Sequence, residues 1–176
     1  MDEEPERLVF ELRAGSRAAF EAIYRLYRAP VFGFLLRLSG DRGVAEDLFQ
    51  NTWLKLHRHA QTLRPDSDLK AWLFTVARNE YLSHRRWRSL DVRRLAGAEL
   101  RPSVPVSSDV SVEFADLERG LAKLNRDERE VLLLSVVEGF EPVRAAGILG
   151  ISHAAFRKRL SRARTRLERL LAEQMP

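Results

Sequence analysis

The residues best equipped for chemistry lie near the end of the chain. Lys158, Ser161, Arg162, Thr165 and Arg169 share one side of a helical wheel, with Arg157 on its flank. On the opposite side Phe156, Leu160, Ala163, Leu167 and Leu170 recur at alternating four- and three-residue spacings, which is one apolar stripe. A helix that buries one side and offers guanidinium, ammonium and hydroxyl groups on the other suits the DNA major groove. There arginine pairs with guanine edges or with phosphates, and serine bonds either. Arg159, Arg164 and Arg166 add charge around the rim.

Such a helix needs a neighbour to set its angle, and one stands directly upstream. PVRAAGILG, from Pro142 to Gly150, reads as a short helix closed by glycine; Ile151 fills a turn and Ser152 caps the helix that follows. Ala146 and Gly150, four apart, permit a close crossing, so the pair reads as a helix-turn-helix. Charge alone describes a solvated basic face equally well, but the helix-turn-helix tips the balance to DNA.

A second constellation lies in LKAWLFTVARNEYLSHRRW, from Leu69 to Trp87, where Trp72, Arg78, Asn79, Tyr81, Arg85 and Arg86 mix aromatic, amide and basic groups. Aromatics interleaved with cations suit single-stranded nucleic acid, whose bases stack on rings while the backbone follows the charge. Trp72, Leu73 and Val76 read equally as core. A third face is formed by Asp47, Gln50, Asn51 and Leu54 at helical spacing, with Trp53 beside it. It reads as a protein-docking surface, while Val44, Leu48 and Phe49 point elsewhere.

Nothing resembles a catalytic set. The four histidines are scattered, His57 and His59 are not on one helical face, and no carboxylate cluster accompanies them. Without cysteine there is no disulfide or thiolate metal site, and no phosphate-binding glycine loop or nucleophile elbow occurs. The chain reads as a non-enzyme that needs no cofactor or metal. It shows no signal pattern and no membrane-length apolar run, so the expectation is a cytoplasmic protein without membrane insertion. A net charge of +5 fits a polyanionic partner.

The elements that position these groups are helical throughout, and 45% hydrophobic residues suffice for packed cores over 176 residues. Ser16 caps a helix with Phe20, Ile23, Tyr24, Tyr27, Val31, Phe34, Leu35 and Leu38 on its apolar side; the stripe stays in phase across Pro30. Ser39-Gly40-Asp41 turns into a helix over 43–59, and Asp68 caps the next. Residues 91–112, rich in serine and proline, read as a flexible linker. Helix resumes near Glu113, and Asn125 with Glu128 forms a capping box for a helix stopped by Gly139. The expectation is an all-α protein of two small helical domains, 10–90 and 113–173, after an acidic tail over 1–9.

In order and spacing, AFEAIYRLYRAPVFGFLLRLSGD, AEDLFQNTWLKL, LKAWLFTVARNEYLSHRRW, LNRDEREVLLLSVVEGF and ILGISHAAFRKRLSRARTRL resemble an extracytoplasmic-function sigma factor, a bacterial RNA polymerase specificity subunit. The resemblance spans almost the whole chain outside the acidic start and the linker. It implies a region 2-like first domain and a region 4-like second one. Asp47, Gln50, Asn51, Trp53 and Leu54 would dock on the clamp helices of the polymerase largest subunit, and another polymerase subunit would contact region 4. Trp72, Arg78, Asn79, Arg85 and Arg86 would open and read the −10 promoter element. Asn79 and the loop over 61–68 would hold an extruded base, at an unstacking cost of a few kcal/mol. Arg157, Lys158, Ser161 and Arg162 would read the −35 duplex. The family also implies an anti-sigma factor as partner.

This sequence departs from the family's usual pattern at Asn51, where a glutamate is common, and at EPVRAAGILG, where Pro142 and Gly147 are unusual. A plain helix-turn-helix regulator would leave AEDLFQNTWLKL and the Asn79 helix unexplained. A sigma-like adaptor that does not touch DNA would have no use for the basic groove face.

Overall fold

The computed structural model describes residues 3–94 and 112–173. It divides into two compact units, Met1–Arg101 and Pro102–Pro176, and the described residues are helical with no strand. Most of the expected linker, residues 95–111, lies outside the described residues.

Unit 1 holds α1 (Glu3–Arg13), α2 (Arg17–Ser39), α3 (Arg42–His59), a short 3-10 turn (Ala60–Thr62) and α4 (Leu69–Arg94). Helices α2, α3 and α4 pack on one another. Their core is Ile23, Val31, Phe34 and Leu35 against Leu56, Leu73 and Phe74, all essentially inaccessible. The acidic start is not a tail. Leu8, Val9 and Leu12 are buried where α1 packs on α2 and on the 3-10 turn, while Glu6 and Arg7 face solvent. Burying three aliphatic side chains contributes about 1.5–3 kcal/mol each, which outweighs the modest self-repulsion of surface carboxylates.

The caps explain where these helices begin. Ser16 Oγ accepts from Ala19 N at 3.2 Å, Asp41 Oδ1 from Val44 N at 3.0 Å and Asp68 Oδ1 from Ala71 N at 2.9 Å. Gly40, at φ 66, ends α2 in the left-handed conformation that lets α3 fold straight back. Pro30 sits inside α2 without ending it. Helix α4 runs on to Arg94, past residue 91 where the linker was expected to begin.

Unit 2 holds α5 (Val112–Lys123), α6 (Arg126–Leu132), a wider π-helical turn (Leu133–Val137), α7 (Pro142–Leu149) and α8 (His153–Ala172). Asn125 and Glu128 form the expected capping box. The single helix read through DEREVLLLSVVEG is instead two pieces. The π turn carries Leu133 and Leu134 into the core and turns Val136 and Val137 outward. Arg129 donates to the carbonyls of Leu121, Ala122 and Leu124, closing the end of α5 with a charged donor from α6. Helix α8 packs against α5, α6 and α7 and organises the unit.

Candidate nucleic-acid and protein interfaces

On α3 the sequence-predicted docking face exists, with one correction. Asp47, Gln50, Asn51 and Leu54 are all exposed, and Leu54 keeps 50% of its surface in water. Trp53 does not join them. It is 6% exposed, with its ring edge-on to Tyr24 at 4.8 Å between centroids, Phe49 at 5.8 Å and Phe20 at 6.1 Å. One residue along a helix turns the side chain by about 100°. That step takes position 53 from the open face into the seam with α2.

The structure adds to this face residues that the sequence did not assign to it. A groove of about 460 Å³ runs between α3 and α4, with Asp47, Gln50 and Asn51 on one wall and Glu80, Ser83, His84 and Trp87 on the other. The spacing of positions 80, 84 and 87 along α4 was the available signal, but sequence alone did not say which side of α4 meets α3. Lys55 and Glu80 form an ion pair across the two helices. Burial holds the His84 imidazole below its ordinary range, and Arg88 acts in the same direction, while Asp47 and Asp41 oppose both.

Along α4, residues Trp72, Val76, Asn79, Ser83, Arg86 and Leu90 follow one another at spacings of four and three, so they form one stripe. Trp72 and Val76 are half-buried, whereas Asn79, Ser83, Arg86 and Leu90 are exposed. Leu73, read alongside Trp72, is core at 0% exposure. The predicted set therefore splits: Trp72, Asn79 and Arg86 come together, while Arg78 and Arg85 lie on a flank about 100° round the helix. The Arg85 guanidinium sits 6.0 Å from the Tyr81 ring centre, a cation–π contact that fixes it near the helix. The loop before α4 is anchored by buried Leu63, and Arg64 pairs with Asp66 through Nε at 3.1 Å and Nη2 at 3.0 Å.

In unit 2, α7 and α8 form the helix-turn-helix. Gly150, at φ 65, makes the turn, and Ser152 Oγ accepts from Ala155 N at 3.2 Å. Ala145, Ala146, Ile148 and Leu149 of α7 bury against Phe156, Leu160 and Ala163 of α8. Pro142 occupies the first helical position, where its missing N–H costs nothing, and Glu141 makes no side-chain cap. Arg157, Lys158, Ser161 and Arg162 are all exposed. Among the described residues none of the three cations pairs with a carboxylate. The rim arginines divide in a way sequence did not reveal. Arg159 reaches Asp127 at 3.2 Å and Arg166 reaches Glu128 at 3.6 Å, tying α8 to the start of α6.

No group of three or more His, Cys, Asp or Glu able to hold a metal occurs among the described residues. Family models of Sigma-70 region 2 and Sigma-70, region 4 match residues 23–90 and 114–167. The ECF RNA polymerase sigma factor EcfG of Rhodopseudomonas palustris is 36% identical, over 78% of this chain and 77% of its own. The chain belongs to the ECF sigma factors. This sigma factor is also similar to the RNA polymerase sigma factor CarQ of Myxococcus xanthus, at 34% identity over 92% of this chain and 94% of that one. Among solved structures it matches the sigma factor RpoE of Bartonella quintana, in complex with the anti-sigma factor NepR. That match has a TM-score of 0.80 and 33% identity, over 87% of this chain and 96% of that one. As a sigma factor it directs promoter-specific initiation by RNA polymerase. No helix among its described residues is long and apolar enough to cross a membrane.

Proposed function

We propose that this sigma factor divides promoter recognition between its two units. The exposed α3 face of Asp47, Gln50, Asn51 and Leu54 docks on the clamp helices of the polymerase largest subunit. The α4 stripe of Trp72, Asn79 and Arg86, flanked by Arg78 and Arg85, takes the opened −10 strand. Helix α8 lays Arg157, Lys158, Ser161 and Arg162 into the −35 major groove. The observation that carries this reading is the pair of open faces. Asn79 leads an exposed stripe on α4, and unpaired cations cover the exposed side of a helix-turn-helix. Asn79, Ser83 and Arg86 stay exposed on α4, and among the described residues Arg157, Lys158 and Arg162 have no carboxylate partner, which supports a task outside the chain for both faces.

The protein acts in the cytoplasm, catalyses no reaction itself and is held in check by an anti-sigma factor. The complex of its relative RpoE with NepR supports that last point. Run-off transcription with core RNA polymerase and genomic promoter fragments tests the whole. The expected result is a discrete, promoter-dependent transcript; folded protein that yields none overturns the proposal.

A further inference from the structure

A cleft of about 430 Å³ opens on unit 2 where α8 faces the π turn and the first residue of α7. Its polar walls are Ser135, Arg157, Ser161, Arg164 and Thr165, with Pro142 closing one side. We infer that this cleft seats a backbone phosphate of the DNA duplex, gripped by Arg164, and that this contact sets the depth and register of α8 in the groove. The inference rests on the reading that α8 binds duplex DNA, and it gives Arg164 a task distinct from base reading.

Charge is the first reason. Arg157 and Arg164 stand seven residues apart on one side of α8, so their backbone positions are about 10 Å apart along the axis and both side chains border the same cleft. No carboxylate lines the cleft, and neither arginine forms an ion pair among the described residues. Another seven-residue pair, Arg159 and Arg166, is matched by Asp127 and Glu128. Arg159 and Arg166 thus serve the fold, whereas Arg157 and Arg164 border open space with no carboxylate beside them among the described residues.

Position is the second reason. A recognition helix touches base edges with its amino-terminal residues and rises towards the sugar–phosphate backbone further along. Arg164 lies beyond Arg162, after the turns that carry Arg157, Lys158 and Ser161. Opposite it stand Ser135 of the π turn and Pro142, the first residue of α7, the helix that crosses the backbone in this motif. Hydroxyls are the third reason. Ser161 lies between the two guanidiniums with its hydroxyl free to donate, whereas Thr165 already donates to the Ser161 carbonyl at 3.3 Å. Guanidinium and hydroxyl donors with no carboxylate among them match a phosphate oxygen.

The test uses the full chain and a duplex selected by the protein from a random pool, with affinity measured across a salt series. One phosphate contact contributes about 0.9 to the slope of log affinity against log salt. Arg164→Gln is therefore expected to flatten the slope by about one unit. Between 50 and 200 mM salt the wild type should lose roughly threefold more affinity than the variant. The loss should be uniform over base substitutions in the site, and Arg164→Lys should restore the slope. Neutral methylphosphonate linkages, placed one at a time, should reveal a single position that weakens the wild type and leaves Arg164→Gln unaffected. An unchanged slope overturns the assignment, as does a change confined to certain base pairs or a lowered melting temperature with no change in slope. If wild-type protein binds no duplex in any pool, the underlying reading of α8 fails. If it binds and depends on Arg162 but not on Arg164, only the cleft assignment fails.

Discussion

Trp53 offers the sharpest separation between packing and docking, because Leu54 beside it has the opposite environment. The Trp53 ring is 6% exposed and makes edge contacts with Phe20, Tyr24 and Phe49. Its Nε1 has no hydrogen-bond partner, so its contribution is burial and ring packing. Truncating a buried tryptophan to alanine costs about 3–5 kcal/mol. A unit of this size has a total margin of about 5–15 kcal/mol. The corresponding fall in melting temperature is roughly 15–30 °C. Leu54→Ala, at a half-exposed site, should stay within about 0.5 kcal/mol of the wild type while weakening capture of core polymerase. All three tryptophans lie in unit 1, so fluorescence during thermal or urea unfolding reports that unit alone, and Trp72 and Trp87 remain as probes in Trp53→Ala. The reasoning is refuted if Trp53→Ala melts like the wild type but no longer binds core enzyme.

Two further predictions concern stability. Gly147 lies on the exposed side of α7, and a Cβ built there meets nothing within 4 Å. Gly147→Ala should therefore stabilise unit 2 by about 0.5–1 kcal/mol, read as a raised urea midpoint; a lower midpoint would contradict the open geometry. His84 has its pKa lowered from 6.5, first by burial and then by Arg88. The unfolded chain takes up that proton at higher pH than the fold does, so the contribution present above pH 6.5 is lost as pH falls towards the folded value. Unit 1 should lose more stability than His84→Gln between about pH 7 and 5.5, and equal pH dependence in the two proteins would refute the burial.

Much of the architecture is written in the stripes and caps. Ser16, Asp68, Asn125 with Glu128, and Ser152 each cap the helix their position announces, because capping is local chemistry. What sequence hid depends on distant surfaces. Helix α1 looked like an acidic tail because Leu8, Val9 and Leu12 gain meaning only once α2 and the 3-10 turn supply a surface to bury them. Trp53 and Leu54 are adjacent and both apolar, so only the rings of α2 decide which of them turns inward. The same holds for α8, where Arg159 and Arg162 are chemically identical and Asp127 singles out the former. Arg78 and Asn79 were grouped by proximity in sequence, although one helical step puts them on different flanks. The extra residue of the π turn, which exposes Val136 and Val137, leaves no mark in composition.

On the proposed reading α8 holds duplex while the Asn79 stripe takes single strand. This division is tested most directly by measuring duplex affinity and promoter opening in parallel for Asn79→Ala and Arg162→Ala. Opening is read by permanganate reactivity of unpaired thymines in complexes with core polymerase. Arg162→Ala should weaken duplex binding and relax base preference at one position by about 1–3 kcal/mol. Asn79→Ala should bind the duplex normally and lose thymine reactivity around −10. Loss of duplex affinity alone in both variants, with opening intact once bound, would contradict the division of labour.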